Sequence, residues 1–430
     1  MRRQENLPSL IMVLWMAFAG MGWAAPPNGD IGVDSSAPVY EMPAVIDMAL
    51  KFNPMVIGAD AAIQQSQGQR ITAGAYPNPT IVGQTGGLFQ DTSTGAQIRG
   101  GGSSGGGGNV VTVEQPLEWF GKRSARKREA DAGIGGAVAS LAEVKLNLIA
   151  DVKIAFYDLL VAQRALELAR RNQEIVGAVA RIVRARVKSG EAPEFDAIKA
   201  DVEVLKTNQV VTRAQNTLRV SRVVLDTLTS GQLGPSYRIR GDFETFPTHL
   251  ELKNLSARAL ERHPTIMRLQ KLVEGAGLTL VKEEQSRVPD LTVFGGAQVN
   301  GQTGFFGGLS LPAPVWYLRQ GEIATALGAR RRGEAELLRA QNELLKAVNQ
   351  HFQDAQATAK LIEVFEQGLL KQAQEALRIA EISFEQGASP LLEVLDAQRV
   401  QRQIMVEYLQ ARYDLSVSMA RLERAVAGMI

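Results

Sequence analysis

Apolar and polar positions alternate strictly in only a few short runs of this chain. In the clearest, Leu291, Val293, Gly295, Ala297 and Val299 share one face, and Thr292, Gln298 and Asn300 lie on the other. Phe305, Gly307, Leu309 and Leu311 continue the pattern. Period two predicts strands, over 290–299 with 304–312. A second pair, 80–89 with 109–118, alternates less well. Elsewhere the pattern is helical. Two very long stretches, 117–192 and 315–389, contain no proline and are rich in Ala, Leu, Glu, Gln, Arg and Lys, the strong helix formers. Read as one helix, 122–188 reaches roughly 100 Å, and 320–385 is of similar length. No ordinary globular core is that long, so such helices must lie along others, in a coiled coil or a tube. Small residues (Ala125, Ala130, Ala132, Ala137 and Ala139) allow close neighbours. Ser189-Gly190 and Gln386-Gly387 stop the helices with glycine where a left-handed cap is needed. Pro193 and Pro390 suit the first turn of a returning helix.

The chain is written twice. Ala49-Leu50-Lys51-Phe52-Asn53-Pro54 answers Ala259-Leu260-Glu261-Arg262-His263-Pro264 at an offset of 210 (54 to 264), and Pro79 answers Pro289. Further on the offset is 197: Trp119 answers Trp316, Gly190 answers Gly387, and Pro193 answers Pro390. A longer glycine-rich loop in the first copy, around 100–108, accounts for the change. Each copy is a short helical stretch, a proline, a helix of about 20 residues (54–75 and 264–287), a β-hairpin, and a long helical hairpin. The divisions are a signal peptide 1–24, a linker 25–43, a first repeat 44–230, an inter-repeat linker 231–248 and a second repeat 249–430.

Strands of nine or ten residues match a tilted crossing of a bilayer, and one apolar face opposite a mixed one suits a wall between lipid and water. A soluble sheet with one buried face would read the same. Trp119 and Trp316 favour the membrane, because both sit where strand gives way to long helix, with Phe120 and Tyr317 beside them. That is the place of an interfacial aromatic girdle. Lys122, Arg123, Arg126, Lys127 and Arg128 follow in copy one, and Arg319 in copy two. Positive charge at a helix N-terminus opposes its dipole, which points to anionic lipid headgroups as the rewarding partner, with a merely solvated face as the alternative. Four strands cannot close a membrane barrel, and an open edge in lipid strands backbone donors. The barrel must therefore be shared between chains. Three chains would give twelve strands around a pore.

Composition narrows the chemistry. Arg2 and Arg3, an apolar core over 10–20 and Gly22-Trp23-Ala24 read as a signal peptide cleaved after Ala24. The chain has no cysteine, which excludes disulfides, thiolate metal sites and a lipid-anchoring thioether. The net charge of +2 gives nucleic-acid binding no support. His249, His263 and His351 lack metal-ligand spacing, so no metal site is expected. Gly101-Gly102-Ser103-Ser104-Gly105 lies in low-complexity sequence, without the strand–turn–helix setting of a nucleophile. No catalysis and no cofactor are expected.

Several runs resemble the TolC-like outer-membrane efflux proteins, and within them the cobalt–zinc–cadmium (CzcC-like) heavy-metal branch. They are Gln115-Pro116-Leu117-Glu118-Trp119-Phe120-Gly121-Lys122-Arg123-Ser124-Ala125-Arg126, Pro289-Asp290-Leu291-Thr292-Val293, and Phe384-Glu385-Gln386-Gly387 leading to Leu392-Glu393-Val394-Leu395-Asp396-Ala397-Gln398-Arg399. The resemblance runs from about 44 to the C-terminus. It implies a mainly α fold with a membrane β-barrel portion: a homotrimer with a twelve-stranded outer-membrane barrel and a periplasmic α-helical tunnel. Its implied partners are a periplasmic adaptor, an inner-membrane RND pump and outer-membrane lipid. It also implies an adaptor-contacting tip at Ser189, Gly190, Gln386, Gly387 and Ser389, and an aperture ringed by Asp196, Glu393 and Asp396. The alternatives are a similar channel for drugs or small organics, and a periplasmic coiled-coil protein with no pore.

Overall fold

A computed structural model describes residues 37–85, 109–119, 121–247, 249–299 and 303–428. The signal segment, the glycine-rich loop 100–108 and Phe120 lie outside these residues. In chain order the elements are β1 (Val39–Glu41), α1 (Met42–Phe52), α2 (Pro54–Gly74), β2 (Thr80–Thr85), β3 (Asn109–Leu117), α3 (Lys122–Lys188), α4 (Glu194–Leu228) and β4 (Arg238–Arg240). The second half repeats the series with α5 (Leu252–Arg262), α6 (Pro264–Gln285), β5 (Leu291–Val299), β6 (Thr303–Ser310), α7 (Gln320–Val364), α8 (Leu370–Glu385) and α9 (Leu391–Val426).

The first long helix is continuous for 67 residues. The second, expected unbroken over 320–385, carries a π turn at Phe365–Leu369 between α7 and α8. Buried Phe365 packs edge-on against Tyr408, with ring centroids 5.9 Å apart, and the Tyr408 hydroxyl donates to Glu366 at 2.8 Å. One wide turn places Phe365 and Glu366 together against α9, and no proline announces it.

Each hairpin ends as its residues dictate. Gly190 and Gly387 have φ of +78° and +73°. The following amides close the turn onto carbonyls five residues back, Glu191 to Arg186 and Ala388 to Ser383, both at 2.8 Å. Pro193 and Pro390 sit one position earlier than expected. Their backbone is extended and they cap the returning helices from outside.

The helices pack side by side. α6 lies against both long helices, α3 and α7, whereas α2 lies against α3 without a comparable contact to α7 among the described residues. α9 packs on α7, α8 and α3, and α4 packs on α3. The largest core sits at the waist, where Phe156, Tyr157, Leu159 and Leu160 of α3 meet Val45 and Ala49 of α1 and Leu218 and Leu225 of α4. The segment expected as a linker over 231–248 contributes to it. Leu233, Tyr237, Ile239 and Phe243 are buried, and β4 pairs in parallel with β1. These apolar residues alternate within a short polar stretch, so periodicity alone did not separate them from loop.

Candidate functional site

Three features carry candidate function: the sheet, the junction below it, and the tip of the hairpins. The sheet is antiparallel in the order β2-β3-β5-β6. β2 pairs with β3 over 80–85 and 109–114, and β5 with β6, while residues 86–89 of the first predicted strand lie outside the described residues. The two pairs join through β3 and β5, with Leu117 opposite Leu291 and Val113 opposite Gly295. Side chains alternate across a strand. This register therefore gathers Ile81, Val111, Val113, Leu117, Val293, Phe305 and Leu309 on one face, all of them exposed. Thr80, Thr112, Glu114, Thr292, Gln298 and Ser310 share the other.

Two phenylalanines also fall on the polar face, and each lies over glycine. Phe294 is opposite Gly308 and Phe306 is opposite Gly296. A Cβ on Gly308 would come within 2.7 Å of the Phe294 ring, and one on Gly296 within 2.7 Å of Phe306. The rings thus lie flat along the sheet in space only glycine leaves open. Strands β2 and β6 each have one paired edge among the described residues.

At the junction Trp119 is half-exposed, while Trp316 is 95% exposed and Tyr317 is exposed. The Trp119 amide donates to Asp290 at 2.9 Å. Four of the six basic residues expected at lipid headgroups have protein partners: Lys122, Arg123, Arg126 and Arg319. Lys122, 7% exposed, pairs with Asp290 at 2.7 Å. Arg123 donates to the Gly74 carbonyl at 2.6 Å and lies 4.1 Å over the Tyr76 ring. Arg126 is forked onto Glu118, one arm at 2.8 Å, and Arg319 onto Glu283, one arm at 3.1 Å. The charge that opposes the α3 dipole thus answers carboxylates and the C-terminal carbonyl end of α2. Only Lys127 and Arg128 of the five lack a polar partner among the described residues. Asp290 lies 168 residues from Lys122 and Glu283 lies 36 from Arg319, so spacing could not reveal these two pairs.

At the tip, Val179, Ala180 and Val183 of α3 and Ala200 of α4 pack with Phe384 of α8 and Leu391 and Val394 of α9. Arg186 binds the two hairpins together. Its guanidinium lies 4.5 Å over the Phe384 ring and donates to the Phe384 and Glu385 carbonyls at 3.0 and 3.1 Å. A cation on the last carbonyls of a helix also opposes their negative dipole end. Ser189 donates to the Arg186 carbonyl at 3.0 Å, whereas the Ser389 hydroxyl is buried with no partner among the described residues. Gln386 caps α8 through its backbone N–H, which donates to the Ile382 carbonyl at 3.0 Å.

Asp196 and Glu393 occupy equivalent first turns of α4 and α9. Glu393 and Asp396 are exposed one turn apart, while Leu391, Val394 and Gln398 face the core. Asp396 pairs with Arg399 at 2.7 Å, and Asp196 and Glu393 make no ion pair among the described residues. The tip holds a further acid that sequence reasoning missed. Glu381 has its carboxyl pushed above the ordinary range by burial and by Glu385 one turn on. The four-residue spacing of these two glutamates was the available signal.

Among the described residues no group of three or more His, Asp or Glu could hold a metal ion, and no helix is long and apolar enough to cross a membrane.

The sequence matches the outer membrane efflux protein family over residues 45–231 and 255–428. It is 26% identical over 371 residues to the cobalt-zinc-cadmium resistance protein CzcC of Cupriavidus metallidurans, covering 85% of each chain. Its fold is similar to the outer-membrane channel OprN (TM-score 0.76, 17% identity, 90% of both chains). It is also similar to CusC, solved in a study of transmembrane channel formation (TM-score 0.74, 17% identity, 90% of this chain and 92% of that one).

Proposed function

Because this chain belongs to the outer membrane efflux protein family, we propose that it is the exit-duct subunit of a tripartite RND-type pump and that its cargo is divalent heavy-metal cations. One observation carries the channel reading: a four-stranded sheet with an apolar exposed face, a polar opposite face and two half-paired edges. In lipid each unpaired edge group costs several kcal/mol. Pairing β6 of one copy with β2 of the next removes the cost, and three four-stranded sheets make a twelve-stranded barrel. The helices support the same closure. α6 is held between two long helices and α2 touches one, so the neighbour's α7 would complete the groove around α2.

In this reading Trp119, Phe120, Trp316 and Tyr317 lie at the periplasmic edge of the bilayer, where amphipathic rings are favoured. The turns at Ser189-Gly190 and Gln386-Gly387, with Ser389, meet the periplasmic adaptor. Asp196, Glu393 and Asp396 from three chains surround the aperture, where carboxylates attract cations and repel one another. The metal cargo rests on similarity to the cobalt-zinc-cadmium resistance protein. The chain itself needs no catalytic or metal-binding group for this role.

Two experiments test the proposal. Deleting the gene should lower survival on cobalt, zinc or cadmium and leave a drug panel unchanged; the reverse pattern would assign an organic cargo. In planar bilayers, Asp196→Asn with Glu393→Gln should reduce the preference for cations over anions, and an unchanged reversal potential would remove these residues from the aperture.

A further inference from the structure

A cleft of about 460 Å³ opens between α3, α4 and β4, away from the sheet and the tip. Arg170 and Arg171 of α3, Arg222 of α4 and Arg238 of β4 line it, with Glu167 and Glu174. None of the four arginines has an ion-pair partner among the described residues, and the Nε atoms of Arg222 and Arg238 are buried without a hydrogen bond. Four guanidiniums around one cleft repel each other unless anions lie between them, and their planar forks match carboxylates.

The internal repeat supplies a control. At the offset of 197 the counterparts of Arg170, Arg171 and Arg222 are Gln367, Gly368 and Met419. The hairpin therefore folds without these charges. Along α3 the cleft lies 48 residues from the junction (122 to 170), or about 70 Å into the periplasm.

We propose that this cleft binds the stem peptides of peptidoglycan, a ligand of several carboxylates with a free amine. The carboxylates would meet the arginines, and the amine would meet Glu174, which also lacks an ion-pair partner among the described residues. An acidic protein segment offers the carboxylates but leaves the glutamates facing like charge.

The test is co-sedimentation of the purified trimer with isolated sacculi, with Arg170→Gln combined with Arg171→Gln as the variant. Both side chains are exposed, so the fold should tolerate the change, and conductance equal to the parent's verifies this. The parent should pellet with sacculi and be displaced by the free tripeptide L-Ala-γ-D-Glu-meso-diaminopimelate. The variant should bind about tenfold more weakly, the loss expected for charge-assisted hydrogen bonds. Equal sedimentation of both proteins, no sedimentation of the parent, or displacement by an acidic peptide and not by the tripeptide would overturn the proposal. None of those results would touch the channel, which conductance reads separately.

Discussion

Asn53 and His263 occupy equivalent places in the two repeats and make the same local bond. The Asn53 side chain accepts from the Met55 amide at 2.9 Å and donates to the Leu228 carbonyl at the end of α4, also at 2.9 Å. His263 accepts from the Thr265 amide at 3.3 Å through Nδ1. Asn53 thus ties the entry of α2 to the exit of α4. Only a neutral imidazole can accept at Nδ1, and burial pushes the His263 pKa below its ordinary 6.5. The sign follows: its contribution is complete above about pH 6.5 and is lost as pH falls through the lowered value. His263→Ala should cost about 1 kcal/mol, the usual loss for an N-cap. His263→Asn should keep the cap and flatten the fall in heat resistance of the trimer below pH 6.5. An unchanged acid profile in the asparagine variant would assign the pH response to other groups. The sequence placed both residues before a proline, and so at a helix entry. It could not show the second bond, whose acceptor lies more than 150 residues away.

At the scale of elements, the long helices and their glycine stops were legible because propensity, proline spacing and the repeat agree. The first hairpin was harder. Val110 falls on the polar face beside Val111 and Val113 on the apolar one, which blurs the alternation, and pairing with β5 settles the register. The strap formed by β1 and β4 and the π turn were not legible, because each depends on a distant surface. Gly308→Ala would press a methyl into the Phe294 ring and should sharply lower the yield of assembled trimer in the membrane. Phe294→Ala in the same chain should restore much of it, since the ring is the obstacle. Failure of that rescue would mean the glycine serves something other than the ring. At the tip, Arg186 spans the two hairpins by hydrogen bonds. Arg186→Ala should free α8 and α9 from α3 and raise the mean conductance in planar bilayers several-fold. Unaltered conductance would make Arg186 a packing residue without control of the aperture.

For the whole molecule, function was legible to the extent that a deficit is legible. The repeat shows two hairpins per chain, and four strands are too few to shut out lipid. Which residues surround the aperture was less accessible, because helical phase in one chain does not fix the direction of a side chain in an assembly. Glu393 and Asp396 are turned away from the hairpin core. The central claim is that copies complete each other edge to edge. The chain has no cysteine of its own, so cysteines can be placed at Ile81 on β2 and, in separate variants, at Leu309, Leu311 or Val315 on and just after β6. A disulfide forms only between Cα atoms about 4.4–6.8 Å apart. After oxidation in membranes, at least one pair should give a denaturant-resistant ladder ending at three chains and collapsing on reduction. A single-chain band from every pair, in protein properly delivered to the outer membrane, would contradict the account.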